Sequence, residues 1–409
     1  MDVLRRTASN DPAGGPGSPS TQRSPNPQSD SSRPSLPATT DPPSPSNPPK
    51  QKVWLIFGAT GHMGRSVTKT ALSHGDIIVA VGQSFEDDRS SMQTWHDDPD
   101  RYLALLCDVR IRPSVSSTLE KTIKQFGRID IIANCSGYGV IGACEDQDEH
   151  EIRNQFEVNF MGTLNIIQLS LPYFRKRQDG RYLIFSSTSG ALGVPGLGPY
   201  CATKYAVEGL IESMLYEVDP FNIKATLVEP GHVRRDDEHV QNTDGSKLPL
   251  FGHFKVAKAS EPYMGKDAPA AHAQRTLHWM GQNQPTSVVK SAELVWQLGH
   301  CRYPPLRLLL GSFAVESIRD RLKSIIEEIE DWKHLHFPPL EGMEEKADDG
   351  EGEGEGADGE DGEDDQEQEQ AEDEEVEGEE RDEQGKSAGH GQGKESQDIK
   401  DETQMDVDG

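Results

Sequence analysis

The sequence predicts one doubly wound α/β domain, a parallel sheet with helices on both faces, and three observations carry that prediction. Seven apolar runs of strand length recur along the middle of the chain: VWLIF, DIIVAVG, YLALLCD, IDIIANC, GRYLIFSS, IKATLVEP and LRLLLGS. They are continuous rather than alternating, as strands buried on both faces are. Between them stand helical-length stretches with spaced apolar residues, such as RSVTKTALSHG and EIRNQFEVNFMGTLNIIQLSLPYF. Strands alternating with helices build a parallel sheet. Third, the glycine turn in FGATGHMGR follows the first run directly, at the end of a strand where this design binds its ligands.

Composition sets the limits of the domain. Twelve of the 27 prolines and ten serines lie in the first fifty residues, with little apolar surface to bury. Such a segment cannot offset its ordering entropy, so residues 1–51 are expected to be a disordered Pro/Ser-rich tail. Residues 341–409 hold 31 acidic side chains against 5 basic ones, so 26 of the 29 net negative charges belong to a second, acidic tail. Self-repulsion adds to the case for disorder there. Residues 52–340 remain as the folded domain. No apolar run approaches the roughly 18 residues of a membrane span, and no basic patch suggests direct nucleic-acid binding. The five cysteines, Cys107, Cys135, Cys144, Cys201 and Cys301, lack CxxC spacing. They point to reduced thiols without a metal site, and to the cytoplasm, with the nucleus left open.

Gly58, Gly61 and Gly64 fall three apart. Glycine is costly to order, so three in seven positions imply that something needs their missing side chains. A strand entering a tight turn and then a helix, with backbone N–H groups and the positive end of the helix dipole facing a pyrophosphate, is such a need. This is a Rossmann-type reading. The group that reads the ribose is expected about twenty residues later, where VAVGQS offers Gly82 and Gln83 and neither an acid nor an arginine. Without a carboxylate to repel a 2′-phosphate, NADP(H) is slightly favoured over NAD(H), with Arg65, Lys69 and Arg89 as candidate phosphate partners.

The second half carries SSTSG, Ser186–Gly190, and then YCATK, Tyr200–Lys204. A Tyr and a Lys four apart share one helix face. The phenol, with an ordinary pKa of roughly 10, needs a neighbouring cation to exchange protons near neutrality. Lysine is the simplest such cation. The serine cluster ends a strand upstream of the tyrosine.

In order and spacing these features resemble the short-chain dehydrogenase/reductase family, over about residues 53–335, and most closely its retinol- and hydroxysteroid-dehydrogenase-like members, judging by YCATKYAVEGL and PPLRLLLGS. The resemblance implies an NAD(P)-dependent oxidoreductase. GATGHMG resembles the cofactor loop, which implies cofactor contacts at Gly58, Thr60, Gly61, His62, Met63 and Gly64, with Gln83 following. CDV resembles the adenine segment and points to Asp108 and Val109. NCSG keeps Asn134 and Gly137 of the family's N-N-A-G. NFMG supplies Asn159, which in the family kinks its helix and holds a relay water. By family spacing Ser187 orients the substrate, thirteen residues before Tyr200, with Ser186 and Ser189 as competitors. Tyr200 is then the general acid/base, and Lys204 holds the nicotinamide ribose and lowers the tyrosine pKa. EPGHV places Pro230, Gly231 and Val233 beside the nicotinamide. Arg235 stands where a threonine is frequent.

The segment between the sixth strand and the last, residues 234–302, shows no clear strand pattern and carries Leu248, Leu250, Phe251, Phe254, Tyr263, Met264, Trp279 and Met280. These side chains form either an apolar lid over a lipophilic ketone or alcohol, or ordinary core. The final helix, with Ile318, Leu322, Ile325, Ile326, Ile329 and Trp332 in a stripe, is expected to pack on the core. A homodimer contact is its alternative. The acidic tail serves as a solubiliser or binds a basic protein such as a histone. Two functions stay open: the oxidoreductase, and a catalytically silent dinucleotide sensor with the same fold.

Overall fold

The computed structural model describes residues 34–83, 89–234, 250–251, 253–265, 267–280 and 286–335. Contacts divide the chain into Met1–Phe337 and Pro338–Gly409, and the second unit lies outside the described residues. The first begins with β1 Val53–Phe57, α1 His62–Ser73, β2 Ile77–Gly82, α2 Arg89–Gln93, β3 Tyr102–Leu106 and α3 Arg112–Phe126. It continues with β4 Ile131–Asn134, β5 Gly139–Ile141, α4 Glu149–Phe156, α5 Gly162–Arg177, β6 Gly180–Phe185, α6 Gly198–Val218 and β7 Ile223–Pro230. Then come β8 Val233–Arg234, β9 Leu250–Phe251, β10 Phe254–Val256, α7 His272–Met280, β11 Thr286–Ser287, α8 Val288–His300, β12 Arg307–Leu310 and α9 Ser312–Trp332.

Among the described residues, seven parallel strands form one sheet in the order β12-β7-β6-β4-β1-β2-β3. All seven predicted runs are in it. Leu55 pairs with Val79 on one side and Ile132 on the other, so β1 is central. Alternate residues of each run fill two cores. Trp54, Ile56, Ile78, Ala80 and Ile131 join side chains of α1 and α8 on one face. Leu55, Phe57, Val79, Val81 and Ile132 join side chains of α3, α5 and α6 on the other. That is why the runs read as continuous. The strand order reverses between β1 and β4, and the chain leaves their carboxyl ends in opposite directions along the sheet, as ligand sites in this design require.

Two expectations change and one open reading is decided. Residues 34–50 are not part of a structureless tail: Leu36 is buried in the core, its N–H donates to Gln297 Oε1 at 3.0 Å, and Gln297 Nε2 donates to Pro34 O at 2.8 Å. Arg302 N and Tyr303 N add bonds to Asp41 O and Thr40 O at 3.2 and 3.1 Å, so the segment is tied to the domain at both Leu36 and Thr40. The segment after β7, left open between lid and core, is core over α8, which packs Val288, Ala292, Val295 and Trp296 against the sheet and α1. Last, α9 does not lay its stripe on the core. Only Ala314 of that helix is buried, since both sheet faces are already covered.

Candidate functional site

Two of the three glycines after β1 are explained first by the chain itself. Gly58 has φ +71°, and a Cβ there would lie 2.6 Å from Ser136 N and 2.7 Å from Cys135 C, so only glycine fits where the chain leaves β1 against the end of β4. A Cβ on Gly64 would overlap Gly58 O. The expectation that the glycines serve a dinucleotide therefore holds no monopoly: Gly58 and Gly64 fold the loop on itself. Gly61 is the N-cap of α1, with no capping side chain and no acid in the first turn, which leaves the helix start suited to an anion. Met63 is a core residue and can serve a ligand only through its backbone. His62 opens the helix, its ring stacked with His253 at 6.3 Å.

Beside this loop a pocket opens at the carboxyl ends of β1, β2 and β3, lined by Gly58, Gly82, Gln83, Asp108, Val109, Arg110 and Ser136. Thr60 borders it through Gly82, whose Cβ would lie 3.1 Å from Thr60 Cγ2. Asp108 is gripped by Arg110, with Nε to Oδ1 at 2.9 Å and Nη2 to Oδ2 at 2.7 Å, and those hydrogen bonds hold its carboxyl below the usual range. Arg65 places its guanidinium over Trp95, 5.1 Å from the ring centre. The side chain of Arg89 lies outside the described residues.

Asn134 is buried and fixes the β4 end: Nδ2 donates to Thr163 Oγ1 at 2.9 Å, and Oδ1 accepts from Ser136 N at 3.1 Å and from Ser136 Oγ. Gly137 has φ +151°, with the space for a Cβ closed by Asn159 Oδ1 at 3.0 Å. Asn159 sits in a π turn, Glu157–Met161, between α4 and α5. Such turns displace a residue out of the helical ladder. Its amide clamps the backbone of Tyr138, accepting from N at 3.0 Å and donating to O at 2.8 Å, and also donates to Thr203 Oγ1 at 3.0 Å.

The structure separates the serines. Ser186 Oγ donates to Glu208 Oε1 at 2.6 Å. Ser189 hydrogen-bonds the Cys201 thiol. Ser187 caps a short turn, its Oγ accepting from Ser189 N at 3.2 Å, and hydrogen-bonds the Tyr200 hydroxyl. Tyr200 is 3% exposed. Burial raises its pKa and the bond to Ser187 works against that rise. Lys204 Nζ donates to Phe185 O at 3.0 Å and lies 5.7 Å from the centre of the Tyr200 ring. Burial pushes its pKa down to about 8, opposed by Glu208 and Cys135.

One of the lid candidates, Phe254, and several residues not predicted, His253, Gly139, Glu208, Glu229 and Arg307, complete the site. Phe254 meets Tyr200 edge-on at 5.2 Å, and His253 lies 6.1 Å from it. A Cβ on Gly139 would fall 2.7 Å from Tyr200 Cδ2 and 2.8 Å from Phe254 Cδ1, so that glycine lets the two rings meet. Behind Lys204, Arg307 lies 3.5 Å from Glu208 Oε2 and 3.1 Å from Glu229 Oε1, and donates to Glu212. Both Glu229 oxygens are nonetheless buried without a hydrogen bond, and burial, then Glu208, pushes Glu229 up to about 8. Glu208 stands one helical turn from Lys204, a spacing legible in the sequence.

Pro230 ends β7, Gly231 N donates to Leu310 O at 3.0 Å, and Val233 is buried in β8. Of the expected lid, Phe254 reaches Tyr200, Tyr263 lines a second pocket with Ile141 and Val256, and Met264 is exposed. Arg235 and Leu248, and the side chains of Leu250, Phe251, Trp279 and Met280, lie outside the described residues. Among the described residues no His, Cys, Asp and Glu cluster could hold a metal ion, no helix is long and apolar enough to cross a membrane, and all five cysteines are free thiols.

A parallel seven-stranded sheet with a glycine turn at its switch point and a Ser, Tyr and Lys converging beside it defines a class of dehydrogenase. The family profile described as short chain dehydrogenase matches residues 52–244. Oxidoreductase BOA17 of Botryotinia fuckeliana is 30% identical over 284 residues, covering 69% of this chain and 97% of that protein. The 3-ketodihydrosphingosine reductase of Bacteroides thetaiotaomicron is 33% identical over 180 residues, 44% of this chain and 63% of that one. The crystal structure of a short-chain dehydrogenase from Streptomyces avermitilis superposes with a TM-score of 0.60 at 29% identity, covering 70% of this chain and 98% of that one. The chain belongs to the short-chain dehydrogenase family of oxidoreductases.

Proposed function

We propose that the protein is an NAD(P)(H)-dependent reductase or dehydrogenase acting on a lipophilic ketone or alcohol in the cytoplasm. The observation that carries this is the convergence of Ser187 and buried Tyr200 beside the buried ammonium of Lys204. The groups present fit a nicotinamide dinucleotide. An α1 start without a capping side chain suits its pyrophosphate, and the pocket of Gly82, Gln83, Asp108 and Val109 suits its adenosine. Asn134 and Gly137 hold the floor between these groups, Lys204 would hold the nicotinamide ribose, and Pro230, Gly231 and Val233 would flank the ring. The lack of a carboxylate at Gln83 favours NADP(H) slightly.

When bound, the nicotinamide supplies hydride to a carbonyl carbon or takes it from an alcohol. Tyr200 gives its proton to the carbonyl oxygen as charge develops there, and Ser187 donates a hydrogen bond to the same oxygen. In oxidation Tyr200 takes the proton back. Lys204 supports the phenolate by its charge, and Asn159 fixes the Tyr138 backbone next to Gly137 and so keeps the wall of the site in place. Phe254, Ile141 and Val256 make the surroundings of Tyr200 apolar, which favours a lipophilic substrate, as does the relative that reduces 3-ketodihydrosphingosine by name. No observation favours the silent sensor.

The test is a screen of ketones and alcohols of graded chain length with both cofactors, following absorbance of the reduced nicotinamide. Turnover that rises with apolar character is expected. Cofactor binding without turnover of any substrate would return the sensing reading.

A further inference from the structure

The final helix, α9, carries an apolar face that the described chain leaves uncovered. Leu322, Ile326, Ile329 and Trp332 are 51–61% exposed, and at 100° per residue they fall with Ile318 and Ile325 in an arc of about 120°. A contiguous apolar stripe on a surface helix marks an interaction site. Its charged flanks identify what covers it. Arg319, Arg321 and Lys323 lie in the first half together with Glu316 and Asp320, and Glu327, Glu328, Glu330 and Asp331 lie in the second, so the first half is net basic and the second wholly acidic. Arg319 and Lys323 share one flank with Glu327 and Glu330, while Arg321 shares the other with Glu328.

We infer that α9 pairs with α9 of a second copy of this chain, antiparallel, about a two-fold axis passing between Ile325 and Ile326. An antiparallel pair sets each flank against the same flank of its partner. Arg319 and Lys323 then face the acidic pair Glu327 and Glu330, and Arg321 faces Glu328. A parallel pair would oppose like charges at every level. Lys323 already lies 3.6 Å from Glu327 of its own helix, and that pair becomes part of a four-charge cluster across the axis. The contact is isologous, as two-fold dimers require. A membrane surface fits less well. With three basic and six acidic side chains in Ser312–Trp332, the helix lacks the basic face that interfacial helices use.

The experiment compares the particle mass of the full chain with that of Ile326→Glu/Ile329→Glu, at the same micromolar concentration, by sedimentation velocity. The substituted positions are exposed and outside the catalytic site, so circular dichroism should show an unchanged fold while the mass halves, and the unfolding midpoint should lose only its dependence on protein concentration. In a second arm Ile326→Cys, next to the axis, should cross-link to its own copy on mild oxidation, and Arg319→Cys should not. Equal masses for parent and double variant would overturn the proposal. So would cross-linking at Arg319→Cys but not Ile326→Cys, or a parent that stays monomeric and sediments with neutral or anionic vesicles.

Discussion

The two ends of the sheet treat their buried polar groups in opposite ways. At the amino ends two buried carboxylates, Asp76 and Asp130, are saturated. Asp76 Oδ2 accepts from Trp54 Nε1 at 3.0 Å, Trp296 Nε1 at 2.9 Å and His300 Nε2 at 2.8 Å, and Oδ1 accepts from Lys52 N at 2.8 Å. Asp130 accepts from Val53 N, Arg128 and Arg177 at 2.8–2.9 Å. Burial pushes the Asp130 carboxyl up, yet those donors outweigh it and hold it below the usual range. Around Tyr200 at the carboxyl ends burial wins instead: Tyr200 is raised, Lys204 is pushed down to about 8 and Glu229 up to about 8, while Asp108 further along the same edge is held down by Arg110. Satisfied polar groups fasten strands and helices together, whereas groups kept short of partners are poised to change charge. One end is built for stability, and the other holds the groups proposed for the chemistry.

That contrast predicts where substitutions act. The largest loss of stability is expected at Asp76→Ala, which strands several buried donors and should cost about 3–5 kcal/mol. Chemical denaturation measures it, and kcat of the molecules that stay folded should not change. Gly139→Ala reverses the pattern. A methyl between Tyr200 and Phe254 should lower kcat by roughly 10–100-fold, as displacements of about 1 Å do, at a stability cost of about 1–3 kcal/mol. If activity survives while stability falls, the Tyr200 and Phe254 contact belongs to packing alone.

A smaller effect tests Glu229. Its folded pKa lies above its ordinary 4.5, so its contribution to stability is complete below about pH 4.5 and is lost as pH rises through about 8. Glu229→Gln removes this titration. Stability curves of the two proteins should diverge from pH 4.5 to 8, with the variant the more stable at the alkaline end, and parallel curves would show that Glu229 titrates normally. The smallest change concerns cofactor choice. Gln83→Asp adds charge without touching the fold, and should shift relative affinity toward NADH by about tenfold, an interaction of roughly 1.4 kcal/mol. Fluorescence titration with both cofactors reads it.

The sequence told most about what is local. Seven continuous apolar runs became seven strands because burial on both faces is written into each run. The glycine turn announced a backbone needing room, but not that Ser136 and Gly58 itself would claim that room. Helix α8 went unrecognised inside a segment left open between lid and core, although Val288, Ala292, Val295 and Trp296 have helical spacing. A stripe on α9 was visible, but a stripe does not say what covers it, and the sheet faces were already taken. Contacts between distant segments, such as Tyr200 with Phe254 or Leu36 with the core, leave no periodic trace in either partner. Glu208 lay in plain view one turn from Lys204. Its importance depends on Arg307 and Glu229, which only the fold brings to it.

The account rests on Tyr200 as the group that moves the proton, and one measurement addresses it most directly. Tyr200→Phe removes a hydroxyl and leaves the ring that packs on Phe254. Single-turnover reduction of a ketone that the parent protein accepts, with cofactor affinity measured on the same sample, should show unchanged cofactor binding and a rate lower by roughly 10²–10⁴. A Tyr200→Phe protein that reduces the ketone at near the parent rate would contradict the assignment, and with it the division of labour between the two ends of the sheet.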